Sequence, residues 1–464
     1  MAESQEPRGL VELPGAGIPA DHGLSSLGLL MQLAGRTTAA LTALVAMMFL
    51  LAWRDLPHVT WLIVICAGSI GRSTLHCAAG RELIYPSRPA ASTRPFVALR
   101  LYILAGIAHA ILIGAMAPEL GAAQPTAIGL AFALAVWPLL LTVVLRYLRG
   151  SIDVALPLGE DRGLEGASVL MLVFGALGAV LAVALLFVIG SLRAEPIGHG
   201  WPMLLGWVFA LLAIRAPMQL VAGLAGLAAG ATGWYLQFER FGEVTARYTR
   251  FGLLSAVGVG AVLIAFLPFH YDPATLLGAI AVTWLLLAWP RTLRGFLDDR
   301  RLGGIIEGGR VDHRRAPDAG LTALGWLLVG HAAIATSVLA LLTAHPEATP
   351  LRRLGAELFA SIVGRGSDGV ILSAGVIGLE LLAASALIRM ADHRRLFASV
   401  YAGIAIAVTL ALSWPTIGSF EHHRRLWVVL ALIPAACQLV VPLATLLLVH
   451  RRVEAGAHAR YRRL

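Results

Sequence analysis

The sequence predicts an all-α polytopic membrane protein of about 12 transmembrane helices, arranged as three parallel four-helix repeats around a pseudo-threefold axis. Three observations carry this. The chain has 464 residues, 58% of them hydrophobic, with mean hydropathy +0.78, more apolar surface than a soluble domain could cover. Its apolar runs reach the ~18 residues that read as membrane spans. A short motif, Asp-x-Gly-Leu, recurs at Asp21, Asp161 and Asp318.

The elements follow in chain order. Residues 1–20 are polar, mixed in charge and rich in Pro and Gly, and read as a flexible cytoplasmic tail with no signal-peptide core. Spans are expected near 37–53, 58–80, 101–117, 125–145, 169–192, 202–230, 251–269, 274–290, 321–343, 369–389, 397–415 and 427–449. The sixth is long enough to tilt or to break near Pro217. No connecting segment exceeds roughly 30 residues, too short for a soluble catalytic or ATPase domain. The stretch 291–320 reads as a solvated basic loop rather than a surface helix.

Arginine sets the orientation. The chain contains no lysine and no asparagine, so all 36 basic residues are arginine. With the N-terminus inside, cytoplasmic segments hold 27 arginines, outer loops hold 7 and 2 lie within spans. Positive charge marks the cytoplasmic side. Both termini are therefore expected in the cytoplasm, with the protein in a bacterial cytoplasmic membrane. Missing lysine excludes a P-loop and any retinal or pyridoxal Schiff base. Cys66, Cys77 and Cys437 all lie in apolar runs, which suggests neither a disulfide framework nor a cysteine metal site.

The recurring motif divides the chain into repeat 1 (21–160), repeat 2 (161–317) and repeat 3 (318–464, with a basic C-terminal tail). GLSSLGLLMQLAG, GLEGASVLMLVFG and GLTALGWLLVGHA align after it without gaps. A second anchor, LRGSID at 148–153 and LRGFLD at 293–298, joins the first two blocks. Four spans per block is an even number, so the blocks share one orientation and are related by an axis along the membrane normal.

The candidate site residues are charged or polar groups inside spans. Arg72 and Arg215 stand at matching places, 51 and 54 residues after their block's aspartate. Glu380, 62 residues after Asp318, is the loosest match and the only carboxylate expected in a span interior. A charge at a helix centre costs about 2.5–3.5 kcal/mol, which the apolar remainder of the span offsets at about 0.3–0.6 kcal/mol per Leu or Val. Once inserted, it should face the bundle and find a partner. The plainer reading is that Glu380 pairs with one arginine and locks the blocks together. The functional reading is that Arg72 and Arg215 bind an anion, with Glu380 as a proton site or gate. His76 and Gln219 lie four residues after the two arginines, on the same helix faces. His109 and His331 are single intramembrane histidines, and no helix offers a haem-ligating pair. Metal binding by His422 and His423 is weak, because helix neighbours point apart. No metal and no cofactor are expected.

Three functions stay open. The first is a transporter or channel-like protein for a small anionic solute, with a central site of Arg72, Arg215 and Glu380. The alternative is a non-catalytic membrane subunit or scaffold of a larger complex. The third, a membrane-embedded enzyme acting on a lipid-linked substrate, lacks a nucleophile–base pair or metal-ligand set. The expected partners are the lipid bilayer, a small anion and other membrane proteins, and no nucleic acid. A water-filled path to Arg72 and Arg215 would separate transporter from scaffold.

Overall fold

The computed structural model describes residues 24–51, 58–84, 96–120, 122, 124–152, 164–192, 200–232, 235–266, 283–284, 286–297, 319–343, 366–389, 393–418 and 425–461. The expected tail, the three motif aspartates, most of the eighth span, the segment 298–318 and the histidines at 422 and 423 lie outside the described residues.

The described residues form twelve helices. They are α1 (Leu24–Leu51), α2 (Val59–Ile84), α3 (Val97–Met116), α4 (Gln124–Ile152), α5 (Leu164–Leu192), α6 (Gly200–Thr232), α7 (Tyr235–Phe266), α8 (286–297), α9 (Ala319–Thr343), α10 (Gly366–Ile388), α11 (Arg394–Gly418) and α12 (Arg425–Tyr461). Ten of these, all but α7 and α8, are long and apolar enough to cross a membrane. The chain is thus built as an integral multi-pass membrane protein. Large apolar side chains on outward faces, such as Leu254 (72% exposed), Leu447 (71%) and Ile371 (68%), fit a lipid surround.

The structure decides between the alternatives for one helix and corrects the start of another. Helix α6 runs unbroken through Pro217, because a bilayer penalises unpaired backbone so heavily that helices persist through proline. Helix α1 begins at Leu24 rather than near residue 37, so Arg36 lies inside a span rather than in the tail. Its guanidinium has a partner there: Nη1 donates to Thr292 Oγ1 at 2.7 Å, and Trp284 Nε1 donates to the Arg36 carbonyl at 3.3 Å. These bonds join α1 to the segment that holds α8.

The core sits where α1, α5 and α9 meet. Their first halves are the aligned segments that follow the Asp-x-Gly-Leu motifs, and these halves are buried: Leu27, Leu29, Met31, Ala167, Val169, Leu170, Met171 and Leu324 are all 0% exposed. Small residues allow the approach. A Cβ added at Gly166 would strike Ser26 Oγ and lie 3.5 Å from Ala323 Cβ. Around this trio, α2 packs on α1, α6 on α5 and α10 on α9. Each third helix packs on its second: α3 on α2, α7 on α6 and α11 on α10. The remaining helices close the bundle against this trio: α4 packs on α9 and α12 mainly on α5, while α8's segment bonds to α1. Ser337 of α9 donates to the Ala133 carbonyl of α4 at 2.8 Å across one such seam.

Close contacts fix the first-to-second helix pairs. A Cβ on Gly28 would lie 2.5 Å from the Gly80 carbonyl oxygen and 2.6 Å from Ile84 Cγ1. On Gly325 it would lie 3.1 Å from the Ala384 carbonyl and 2.9 Å from Ile388 Cγ1. On Gly223 it would lie 2.9 Å from the Ser168 carbonyl. The third-to-fourth pairs meet at glycine and proline, Gly106 against Pro138 and Gly252 against Pro290.

Candidate functional site

Polar side chains collect in three places: one around α2 and α3, one around α6 and α7, and one around α9 and α10. In α2, the glycine at 68 and the serine at 73 keep the helix surface low, and His76 is buried at 7% exposure. Its ring stacks on Tyr102 of α3, centroids 4.3 Å apart and 7° between planes. Trp137 of α4 meets it edge-on and donates from Nε1 to His76 Nε2 at 3.0 Å. An imidazole nitrogen that accepts from an indole carries no proton, so the other ring nitrogen holds it. Arg72, half-buried one turn earlier, acts electrostatically on His76, Tyr102 and His109. His109 itself contacts the Ile65 carbonyl at 3.1 Å.

In the second place, Arg215 and Gln219 of α6 are buried at 7% and 4% exposure. Tyr248 of α7 is 0% exposed and donates to Gln219 Oε1 at 2.9 Å. The Arg215 guanidinium lies 6.0 Å from the centre of that tyrosine ring, within cation–π range. Trp289 of α8 lies beside the same hydroxyl and meets Phe174 of α5 edge-on at 4.9 Å. Arg215 Nη1 and Gln219 Nε2 are buried donors without a hydrogen-bond partner among the described residues.

The third place holds the shortest contact. His331 Nδ1 of α9 lies 2.7 Å from Glu380 Oε1 of α10, and the Glu380 side chain is 1% exposed. Tyr401 of α11 hydrogen-bonds to Glu380, and Gln438 of α12 to His331. A cavity of about 260 Å³ opens on this pair, lined by Val376, Val408, Thr409, Cys437, Gln438 and Val441 among others. Two further cavities lie between α4 and α9 (about 690 Å³, with Gln124, Thr336 and Thr343 in an otherwise apolar wall) and between α5 and α12 (about 510 Å³, with an apolar wall). Of these three, only the smallest has ionisable groups in its wall.

The expected ion pair between Glu380 and an arginine is not formed. Glu380 pairs with His331, and among the described residues neither Arg72 nor Arg215 makes an ion pair with it. The reason lies in the packing, since α10 is seated on α9 and so turns Glu380 toward that helix. The five residues singled out in the sequence thus fall in three groups: Arg72 with His76, Arg215 with Gln219, and Glu380 apart. Tyr102, Tyr248, Tyr401, Trp137, Trp289 and the pairing of His331 escaped the sequence reading. A signal for some of them existed: Trp-Pro stands in two fourth helices, at 137–138 and 289–290, and Tyr-x-x-x-Gly in two third helices, at 102–106 and 248–252.

No group of three or more His, Cys, Asp or Glu side chains able to hold a metal occurs among the described residues. Comparison with protein-family models, curated proteins and solved structures found no match to this chain.

Proposed function

We propose that this chain is a membrane transporter for a small solute, with its solute and proton site at the His331–Glu380 cavity. One observation carries the reading: a buried carboxylate–imidazole pair, in the middle of apolar spans, forms part of a cavity wall. Ionisable residues inside a membrane are costly, and by default they mark substrate paths or proton relays. A pair needed only for packing has no reason to face open space. Glu380 disfavours an anion in this cavity. The anionic solute expected from the sequence keeps support at a second place, where the buried donors Arg215 Nη1 and Gln219 Nε2 have no partner among the described residues. If an anion seats there, it raises the thermal stability of the wild type and not that of Arg215→Gln.

The site belongs to an architecture that we read as three related four-helix blocks about an axis through α1, α5 and α9. Ser26, Gly166 and Ala323, which meet there, each stand five residues after their block's motif aspartate. The cyclic order of fourth-helix contacts supports the same reading. The glycine contacts set its register: Gly80, Gly223 and Ala384 correspond, so His76, Gln219 and Glu380 correspond four residues earlier. Glu380 is then the counterpart of His76 and Gln219 rather than of Arg72 and Arg215, whose place is taken by Val376. The proline contacts align Pro138 with Pro290, which puts the two Leu-Arg-Gly segments two helical turns out of register. A packed contact repeated in two blocks is a stronger anchor than a short motif in apolar sequence. The placement in a bacterial cytoplasmic membrane, with both termini inside, rests on the arginine asymmetry.

Cys437 supplies the test, because it is part of the cavity wall. With Cys66 and Cys77 changed to serine, a charged, membrane-impermeant methanethiosulfonate should modify Cys437 in sealed proteoliposomes. Modification only after denaturation would mean a dry site, and would favour the subunit or scaffold reading.

A further inference from the structure

We infer that the His331–Glu380 cavity binds a flat, mostly apolar heteroaromatic molecule of about the size of indole, held by an N–H donated to Glu380. This rests on the transporter reading for its biological purpose and deepens it by naming the solute class. Its physical basis is the comparison of the three polar places.

In two of them the chain fills this position itself. The residue before the fourth-helix proline is Trp137 in α4 and Trp289 in α8, and in α12 it is Val441 before Pro442. Trp137 lays its indole against the aromatic cluster of His76 and Tyr102 and donates its N–H to His76 at 3.0 Å. Trp289 sets its indole against Phe174 and beside Tyr248. Where Val441 stands there is no indole, and Val441 is one wall of the cavity. A second bulky group is missing as well: Arg72 and Arg215 come one turn before His76 and Gln219, whereas Val376 comes one turn before Glu380 and also lines the cavity. Two truncations in one place open the space.

What remains is matched to a ring with a donor. Glu380 stands where His76 accepts the Trp137 N–H, and its two carboxyl oxygens offer acceptor sites beyond those that face His331 and Tyr401. His331, thirteen residues after Asp318, stands where Phe174, thirteen after Asp161, faces the Trp289 indole. A ring in the cavity would meet the His331 imidazole in the same way. The rest of the wall is largely aliphatic. The volume, about 260 Å³, falls just under the roughly 300–1,000 Å³ of drug-sized pockets. It suits a bicyclic ring and excludes a lipid chain with its headgroup.

The experiment compares indole with 1-methylindole, which has the same ring and no N–H, by calorimetric titration of the purified full-length protein. Wild type should bind indole saturably and bind 1-methylindole ~2–10-fold more weakly, the effect of one hydrogen bond. That preference should vanish in Glu380→Leu titrated with both probes, because leucine leaves no acceptor at this position. Val441→Trp supplies the missing indole, and should weaken binding of both probes by more than ~10-fold while raising the melting temperature. If that variant does not fold, Val441→Phe fills much of the same space and carries the same expectation. Equal binding of the two probes by wild type, or indole binding unchanged by a filled cavity, overturns the inference. Failure of the transporter reading looks different: indole binds as expected while Cys437 stays closed to the aqueous thiol reagent.

Discussion

Replacing Glu380 and His331 singly and together measures what the buried pair contributes. The structure sets the expected size. The two atoms lie 2.7 Å apart and the Glu380 side chain is 1% exposed, so the pair is short and mostly enclosed by protein. Removing one member of a buried ion pair in a soluble protein costs about 3–5 kcal/mol. Interhelical hydrogen bonds within membranes measure far less, about 0.6 kcal/mol on average and about 1.7 at most. Here Tyr401 and Gln438 stay behind to re-pair whichever group is left, which moves the expectation away from the soluble limit. The charge moves it above the membrane average, toward the roughly 1.5–3 kcal/mol of a hydrogen bond to an ionised group. We therefore expect a coupling of about 1.5 kcal/mol between Glu380→Leu and His331→Leu, from unfolding of the purified variants in denaturing micelles followed by circular dichroism. Glu380→Leu and Arg215→Leu share no partner and should add within about 0.3–0.5 kcal/mol. Coupling that is as large with Arg215 as with His331 would refute the packing described for α9 and α10.

Four more expectations can be checked on the same preparations. Gly28→Val forces a side chain onto the Gly80 carbonyl and Ile84; it should destabilise by about 1–3 kcal/mol or more, read in the same unfolding assay. Trp137→Phe leaves the ring and removes the donor to His76, with an expected loss of about 0.5–1.5 kcal/mol. Thr292→Val strips Arg36 of its hydroxyl acceptor inside a span; a loss of about 1.5–3 kcal/mol is expected, and Thr292→Ser should recover most of it. Single cysteines placed in 298–318 and in 344–365 should label from opposite faces of sealed vesicles, and labelling of both from outside would contradict the orientation.

The helices were legible in the sequence because bilayer insertion depends on composition summed over some twenty residues, which tolerates local irregularity. The span beginning at 37 shows where that reading stops. Arg36 looks like the end of a tail in a hydropathy trace, but a hydroxyl on a helix 256 positions away accepts from it and lets the helix continue. The aligned segments after Asp21, Asp161 and Asp318 pointed to the helices that do meet at the core, because close approach demands small residues at fixed offsets. Partners were harder to read. Glu380 and His331 are 49 residues apart on different helices, and nothing in the spacing of either says which side of its helix faces the other. The tyrosines and tryptophans around the polar groups passed as ordinary apolar bulk, since an aromatic ring inside a span is unremarkable until its N–H or O–H has a partner.

The central claim is that Glu380 is a protonatable group in contact with water in mid-membrane. Infrared difference spectroscopy of the protein in lipid tests it directly. The account predicts a protonated-carboxyl band that appears on acidification, shifts on transfer to heavy water and is absent in Glu380→Gln. If no such band titrates, or if a band is present but does not exchange in heavy water, the carboxylate is sealed inside the bundle and the pair serves only to hold helices together.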